Sequence, residues 1–214
     1  MYRVSTFVVY DDIEFTKKGW INRNRYLHDG RDDIFSIPVK KDSDYLYVVE
    51  RQLAGTFATE KQKLVRKLES AYRKAPFFDE GMAILKSCLE CDDCNLFTFI
   101  YHSIQKIKTA LKIDTELVIS SKLKIDRETK GQDRVIAICK ALAATDYINP
   151  IGGTALYNKQ SFSDEGINLH FQCVTPLKYR QFNHNFIPNL SIIDVLMFLG
   201  VDGTRPLLGE MTLV

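Results

Sequence analysis

The sequence predicts an α/β fold: one domain over residues 1–214, a mainly parallel sheet flanked by helices, and a helical middle section. Three observations predict it. Short apolar runs rich in β-branched and aromatic residues recur at 6–10, 117–119, 146–148 and 168–174. The last hundred residues alternate such runs with stretches of helical periodicity, the rhythm of parallel strands joined by covering helices. No internal repeat, low-complexity tract or Gly/Ser linker divides the chain.

Taken in order, residues 6–10 read as a buried strand that ends at Asp11-Asp12. Residues 34–39 and 45–53 are further strand candidates, and Lys40-Lys41-Asp42-Ser43-Asp44 between them carries turn-forming residues, so the two are expected to pair as a hairpin. Leu64, Val65, Leu68, Ala71 and Tyr72 form a stripe of period 3.6 with Lys and Arg opposite. Pro76 suits the first turn of a second helix running to about residue 89. Asn95 can cap a third, with Phe97, Ile100, Ile104, Ile107 and Leu111 on one face. Beyond the strand at 117–119 come Ser120-Ser121, a helix over 132–142, a strand at 146–148, a short helix near 159–165 and a strand over 168–174. Ser191 with Asp194 three residues on has the form of a helix N-terminal capping pair.

Composition bounds the function. The 214 residues are 45% hydrophobic and 26% charged, with Lys+Arg 29 against Asp+Glu 27. That is the make-up of a folded domain, and the net charge of +2 argues against a dedicated nucleic-acid binder. No apolar run reaches the roughly 18 residues of a membrane span. Five cysteines and no signal-type prologue point to a reducing, cytoplasmic setting. Cys88, Cys91 and Cys94 imitate metal-ligand spacing, but the set lacks a fourth thiolate, and Cys88 falls on the Met82/Leu85/Leu89 helical face. No metal site is therefore assigned, and no cofactor can be named.

Ligands of open parallel sheets collect at the carboxyl ends of the strands. Asp11-Asp12, Ser120-Ser121 and the stretch from Asn149 through Gly152-Gly153 are expected there. Adjacent carboxylates suit a base, a ribose hydroxyl or a cation, and equally suit a plain turn. Gly152-Gly153 lets backbone approach a phosphate or sugar closely, or simply makes a tight turn. The densest polar stretch is Lys17-Lys18-Gly19-Trp20-Ile21-Asn22-Arg23-Asn24-Arg25, with four cations, the chain's single Trp and two carboxamides. Arg grips phosphate or carboxylate bidentately and Trp offers a flat face to a ring; the alternative is a solvated basic loop. If extended, the stretch puts Asn22 and Asn24 on one side and Arg23 and Arg25 on the other. His184, in an aromatic and polar loop, is the histidine best suited to acid–base work. His102 reads as structural, and no hydrolase elbow or papain-type context is present.

These segments together resemble the WbqC-like protein family. The likeness is carried by Tyr10-Asp11-Asp12, by Lys18-Gly19-Trp20-Ile21-Asn22-Arg23-Asn24-Arg25, and by Ile37-Pro38-Val39-Lys40-Lys41. It continues through Ala71-Tyr72-Arg73-Lys74-Ala75-Pro76-Phe77-Phe78, residues 134–145, Tyr147-Ile148-Asn149-Pro150-Ile151-Gly152-Gly153 and residues 186–194. The resemblance implies a cytoplasmic transferase of bacterial surface-polysaccharide (O-antigen) synthesis, attaching an aminoacyl (glycyl) group to a nucleotide-linked amino sugar. A noncatalytic sugar-nucleotide-binding or assembly protein is the other reading. In the first, Arg23 and Arg25 would grip the diphosphate or carboxylate and Trp20 would pack on a ring. Asp11 or Asp12 would serve as base or metal ligand, and Gly152-Gly153 would line the pocket. The family also carries an aromatic, Pro-containing lead-in before the first strand, and the chain is expected to lack it. Leu199 stands where relatives are expected to carry Asn.

Overall fold

The computed structural model describes residues 1–126, 128–175, 177–182 and 185–214. Its strands are β1 (Thr6–Val9), β2 (Arg23–His28), β3 (Arg31–Ser36), β4 (Glu116–Ile119), β5 (Asp146–Pro150), β6 (Asn168–Val174) and β7 (Met211–Leu213). Its α-helices are α1 (Phe57–Tyr72), α2 (Phe78–Leu89), α3 (Leu96–Ala110), α4 (Gly131–Ala141), α5 (Lys159–Ser163) and α6 (Ile192–Thr204). The mixed α/β class and the helical middle section hold. Parallel pairing is present but divided: β1 pairs with β4, and β5 with β6, in two separate sheets, while β2 and β3 form a third. Strand β7 runs antiparallel to β6, so the single, mainly parallel sheet expected from the rhythm is not what the described residues form.

The expected hairpin is displaced. The pairing partner of 31–36 is Arg23–His28, not the stretch after residue 44. Asp29 and Gly30 both take positive φ (48° and 75°), and this two-residue turn matches the right-handed twist of the strands it joins. Of the anticipated strand at 45–53, residues Val48–Glu50 wind into a 3-10 turn, and among the described residues the rest makes single bridges, Val39 with Leu53, Glu14 with Tyr47 and Gln52 with Asn95.

Helix ends follow their local chemistry. Asn95 Oδ1 accepts from the Thr98 amide at 3.0 Å, and its amide donates to the Val49 carbonyl at 2.7 Å. Asn95→Ala removes both bonds, and a loss of about 1–2 kcal/mol in urea unfolding is expected. Ser191 caps α6 weakly, accepting from Ile193 at 3.4 Å. Asp194 does not close the expected box: its carboxylate turns into the protein interior.

Two apolar clusters result. The larger takes Leu64, Leu68 and Tyr72 from α1, Met82 and Leu85 from α2, and Leu196 and Met197 from α6, together with Tyr26 and Leu27 of β2. The smaller gathers Val135, Ile136 and Cys139 of α4 with Phe162, Ile167, Leu169 and Phe171. They share no buried residue, and polar side chains meet along the seam between them.

Candidate functional site

Because β1 and β4 are parallel, with Val9 opposite Ile119, the residues that follow each strand emerge side by side. Tyr10-Asp11-Asp12 therefore faces Ser120-Ser121, as the strand-end argument anticipated. Asp11 is 1% exposed. Its Oδ1 accepts from the Ser121 amide at 2.9 Å and its Oδ2 from the Ser121 hydroxyl at 2.6 Å. The Ser120 hydroxyl lies 2.9 Å from Asp11 Oδ1 and also meets Asp12 Oδ1, while the Asp11 amide donates to Ser120 Oγ at 3.2 Å. Asp11 is thus saturated by the protein. Asp12 is less enclosed and has one further partner, the guanidinium of Arg134.

Arg134 reaches this cluster from α4, on the other side of the seam. Its Nη2 pairs with Asp12 Oδ2, its Nη1 donates to the Asp126 carbonyl at 3.1 Å, and it lies 5.7 Å from the Tyr10 ring centroid. Tyr10 has its hydroxyl pushed above the ordinary phenol value, chiefly by burial, and the charges of Arg134 and Asp12 and the Tyr157 phenol all act on it. Tyr157 lies edge-on to Tyr147, whose hydroxyl donates to Asn149 Oδ1 at 3.0 Å. This chain of contacts connects Asn149 to Tyr10. A Cβ on Gly153 would overlap the Asn149 carboxamide, whereas one on Gly152 would meet open space. Gly153 is therefore required for close approach of the loop to itself, and Gly152 faces outward.

The Trp20 segment forms a second patch. Trp20 is 59% exposed, with Arg23 stacked over its ring 5.0 Å from the centroid. Arg23 donates to the Gly19 carbonyl at 2.7 Å and to the Lys18 carbonyl, so the loop holds its own platform rigid. Asn22 is engaged twice with Ile37, its side chain donating at 2.8 Å and its carbonyl accepting at 2.7 Å. Arg25 pairs with Asp32 at 3.0 Å and donates to the carbonyls of Pro188 and Asn189 at 3.1 Å each. The Asn24 carboxamide accepts from the Arg25 amide at 2.9 Å. Lys18 and Asn24 point to solvent. Among the described residues no hydrogen bond or ion pair joins this patch to the Asp12 cluster. His184 lies outside the described residues.

A third polar group lies within the larger core. Asp194, 0% exposed, accepts from the hydroxyls of Tyr72 (2.8 Å) and Tyr179 (2.6 Å) and from the Gln181 amide (2.7 Å). Tyr72 in turn accepts from the Leu27 amide at 2.8 Å. Burial pushes the Asp194 carboxyl above its ordinary value, against the pull of its three donors. Among the cysteines, Cys88 is buried with its thiol pushed up to about 11 by burial, while Cys94 is exposed. No group of three His, Cys, Asp or Glu side chains among the described residues could hold a metal ion. No described helix is long and apolar enough to cross a membrane.

Sequence reasoning passed over Arg134 and gave Ser120, Ser121 and Tyr10 no role of their own. The available signal for Arg134 was a cation four residues before Ile138, at the edge of an otherwise apolar helical stripe.

The chain is 28% identical over 203 residues to an uncharacterized protein of Mycobacterium tuberculosis, Rv1507c, a match covering 93% of this chain and 86% of that protein. No solved structure matches it. The model of the WbqC-like protein family matches residues 1–206, and the chain belongs to that family.

Proposed function

We propose that the protein is a cytoplasmic transferase of bacterial surface-polysaccharide synthesis that attaches an aminoacyl (glycyl) group to the amine of a nucleotide-linked amino sugar. The observation that supports this most is the Asp11-Asp12/Ser120-Ser121/Arg134 cluster at the carboxyl ends of two paired parallel strands. In this reading the amine lone pair attacks the acyl carbon of an activated aminoacyl donor. A C–N bond forms, the bond to the leaving group breaks with its electron pair, and Asp12 accepts the amine proton. Asp11, enclosed by both serines, positions that carboxylate through Ser120, and Arg134 holds it from the opposite side. The Trp20/Arg23 platform packs on a ring of the ligand, with Lys18 and Asn24 as exposed polar neighbours and Asn149 and Gly152-Gly153 along the pocket wall. Arg25 supports this from behind by fixing residues 188–189.

Trp20 is the only tryptophan, so its fluorescence reports on the proposed platform directly. Titration with a nucleotide-linked amino sugar is expected to give saturable quenching. Arg23→Ala is expected to weaken binding about tenfold, the order of a lost cation–ring and phosphate contact. Absence of saturable binding sinks the reading. Binding in which no amide product forms with glycyl donors selects the noncatalytic alternative.

A further inference from the structure

Arg51 is 2% exposed, yet its Nε and Nη2 have no hydrogen-bond acceptor among the described residues. These two N–H groups lie on one edge of the guanidinium and form a parallel fork, the geometry that receives two oxygens of one carboxylate or phosphate. Leaving such a fork unpaired in the interior is costly, the more so because the group is charged.

The surroundings hold the fork in place. The Phe15 ring lies under the guanidinium, 4.8 Å from its carbon to the ring centroid, and binds the cation's face while leaving its edge unused. Backbone bonds fix both residues: Phe15 donates to the Leu46 carbonyl at 3.1 Å, Val48 to Ile13 at 2.9 Å, and Arg51 to Val48 at 3.2 Å. Asp44 is a carboxylate within electrostatic reach, but its side chain is 63% exposed and is paired with Lys17 at 2.5 Å. The stretch that carries Phe15 is the one that carries Asp11 and Asp12, and the Asp11 carbonyl accepts from Val49 at 3.1 Å, two residues before Arg51.

We infer that Arg51 is a binding residue for an oxyanion, its Nε/Nη2 edge taking two oxygens of a carboxylate or phosphate group while Phe15 supports the guanidinium from below. The site requires nothing of the transferase reading, and its test uses simple anions.

The full chain is titrated with sodium acetate, inorganic phosphate and pyrophosphate at ionic strength held constant with chloride, reading the unfolding temperature. A saturable rise with at least one oxyanion over the chloride control is expected, and the arm that gives it tells a planar carboxylate from a phosphate. Arg51→Met is expected to abolish the rise, and Arg66→Met, at an exposed cation of α1, to keep it. Arg51→Lys keeps the charge over Phe15 but loses the fork, and is expected to weaken the anion at least tenfold, so the test survives if the Met variant does not fold. No saturable rise in the parent chain overturns the inference. So does an unchanged response in Arg51→Lys or Arg51→Met, or a response that is lost in Arg66→Met as well.

Discussion

Asp194→Ala is expected to remove about 3–5 kcal/mol of stability, because it strips the acceptor from the hydroxyls of Tyr72 and Tyr179 and the amide of Gln181 at once. Against a total of about 5–15 kcal/mol for an ordinary domain, that loss is severe. The network also ties together parts of the chain that are far apart: Tyr72 ends α1, Leu27 lies in β2, Gln181 holds the amide and carbonyl of Ile187, and Asp194 opens α6. Urea unfolding of the variant checks the magnitude; a change below 1 kcal/mol contradicts this account. A pH signature accompanies it. With the native carboxyl raised above the ordinary 3.8, the folded state keeps its proton after the unfolded chain has released one. The folded state then binds more protons, so this group's contribution to stability falls as pH rises from about 4 through the raised native value. Asp194→Asn should remove that slope.

The ion pair across the seam supplies the second large effect. Asp12 and Arg134 side chains are only 12% and 6% exposed, so deleting either leaves a charge enclosed without its counterpart. Asp12→Asn and Arg134→Met are each expected to cost about 3–5 kcal/mol, and the double variant to cost less than the sum, because neither charge is then stranded. Activity is expected to behave differently. On the proposed chemistry, transfer falls by about 10²–10⁴ in Asp12→Asn and stays lost in the double variant, although stability is partly recovered. Recovery of both together would make the pair purely structural.

How much of this could be read from the chain depended on how local each cause was. The strand at 168–174, the Asn95 cap and the stripe of α1 follow from neighbours within one or two turns, and all were legible. The meeting of Asp11-Asp12 with Ser120-Ser121 was legible too, because parallel strands bring their carboxyl ends together whatever the intervening chain does. Strand β2 was not: its charged residues mask the apolar pair Tyr26-Leu27, and the Asp29-Gly30 turn that announces the hairpin was outweighed by the longer polar turn at 40–44. Arg25 could be read as a free phosphate grip because two of its acceptors lie 163 and 164 residues away, beyond any periodicity, and the third, Asp32, meets it only through the β2–β3 hairpin that was not expected. Arg134 went unassigned for a like reason, its partner Asp12 lying 122 residues away. The inward turn of Asp194 likewise depends on Tyr72, a partner 122 residues distant.

The hairpin of β2 and β3 acts as a ruler. Its turn has no slack, its base is closed by the double contact between Asn22 and Ile37, and its register pairs Arg23 with Ser36 and His28 with Arg31. Side chains alternate along a strand, so one residue added or removed between 22 and 37 would exchange its two faces. Tyr26 and Leu27, neighbours on opposite faces and both buried, would each be moved onto the other's face, and the Arg25 grip on residues 188–189 would slip with them. An insertion or deletion in this stretch is therefore expected to cost far more than a change of residue type, since it shifts every side chain of one strand to the opposite face.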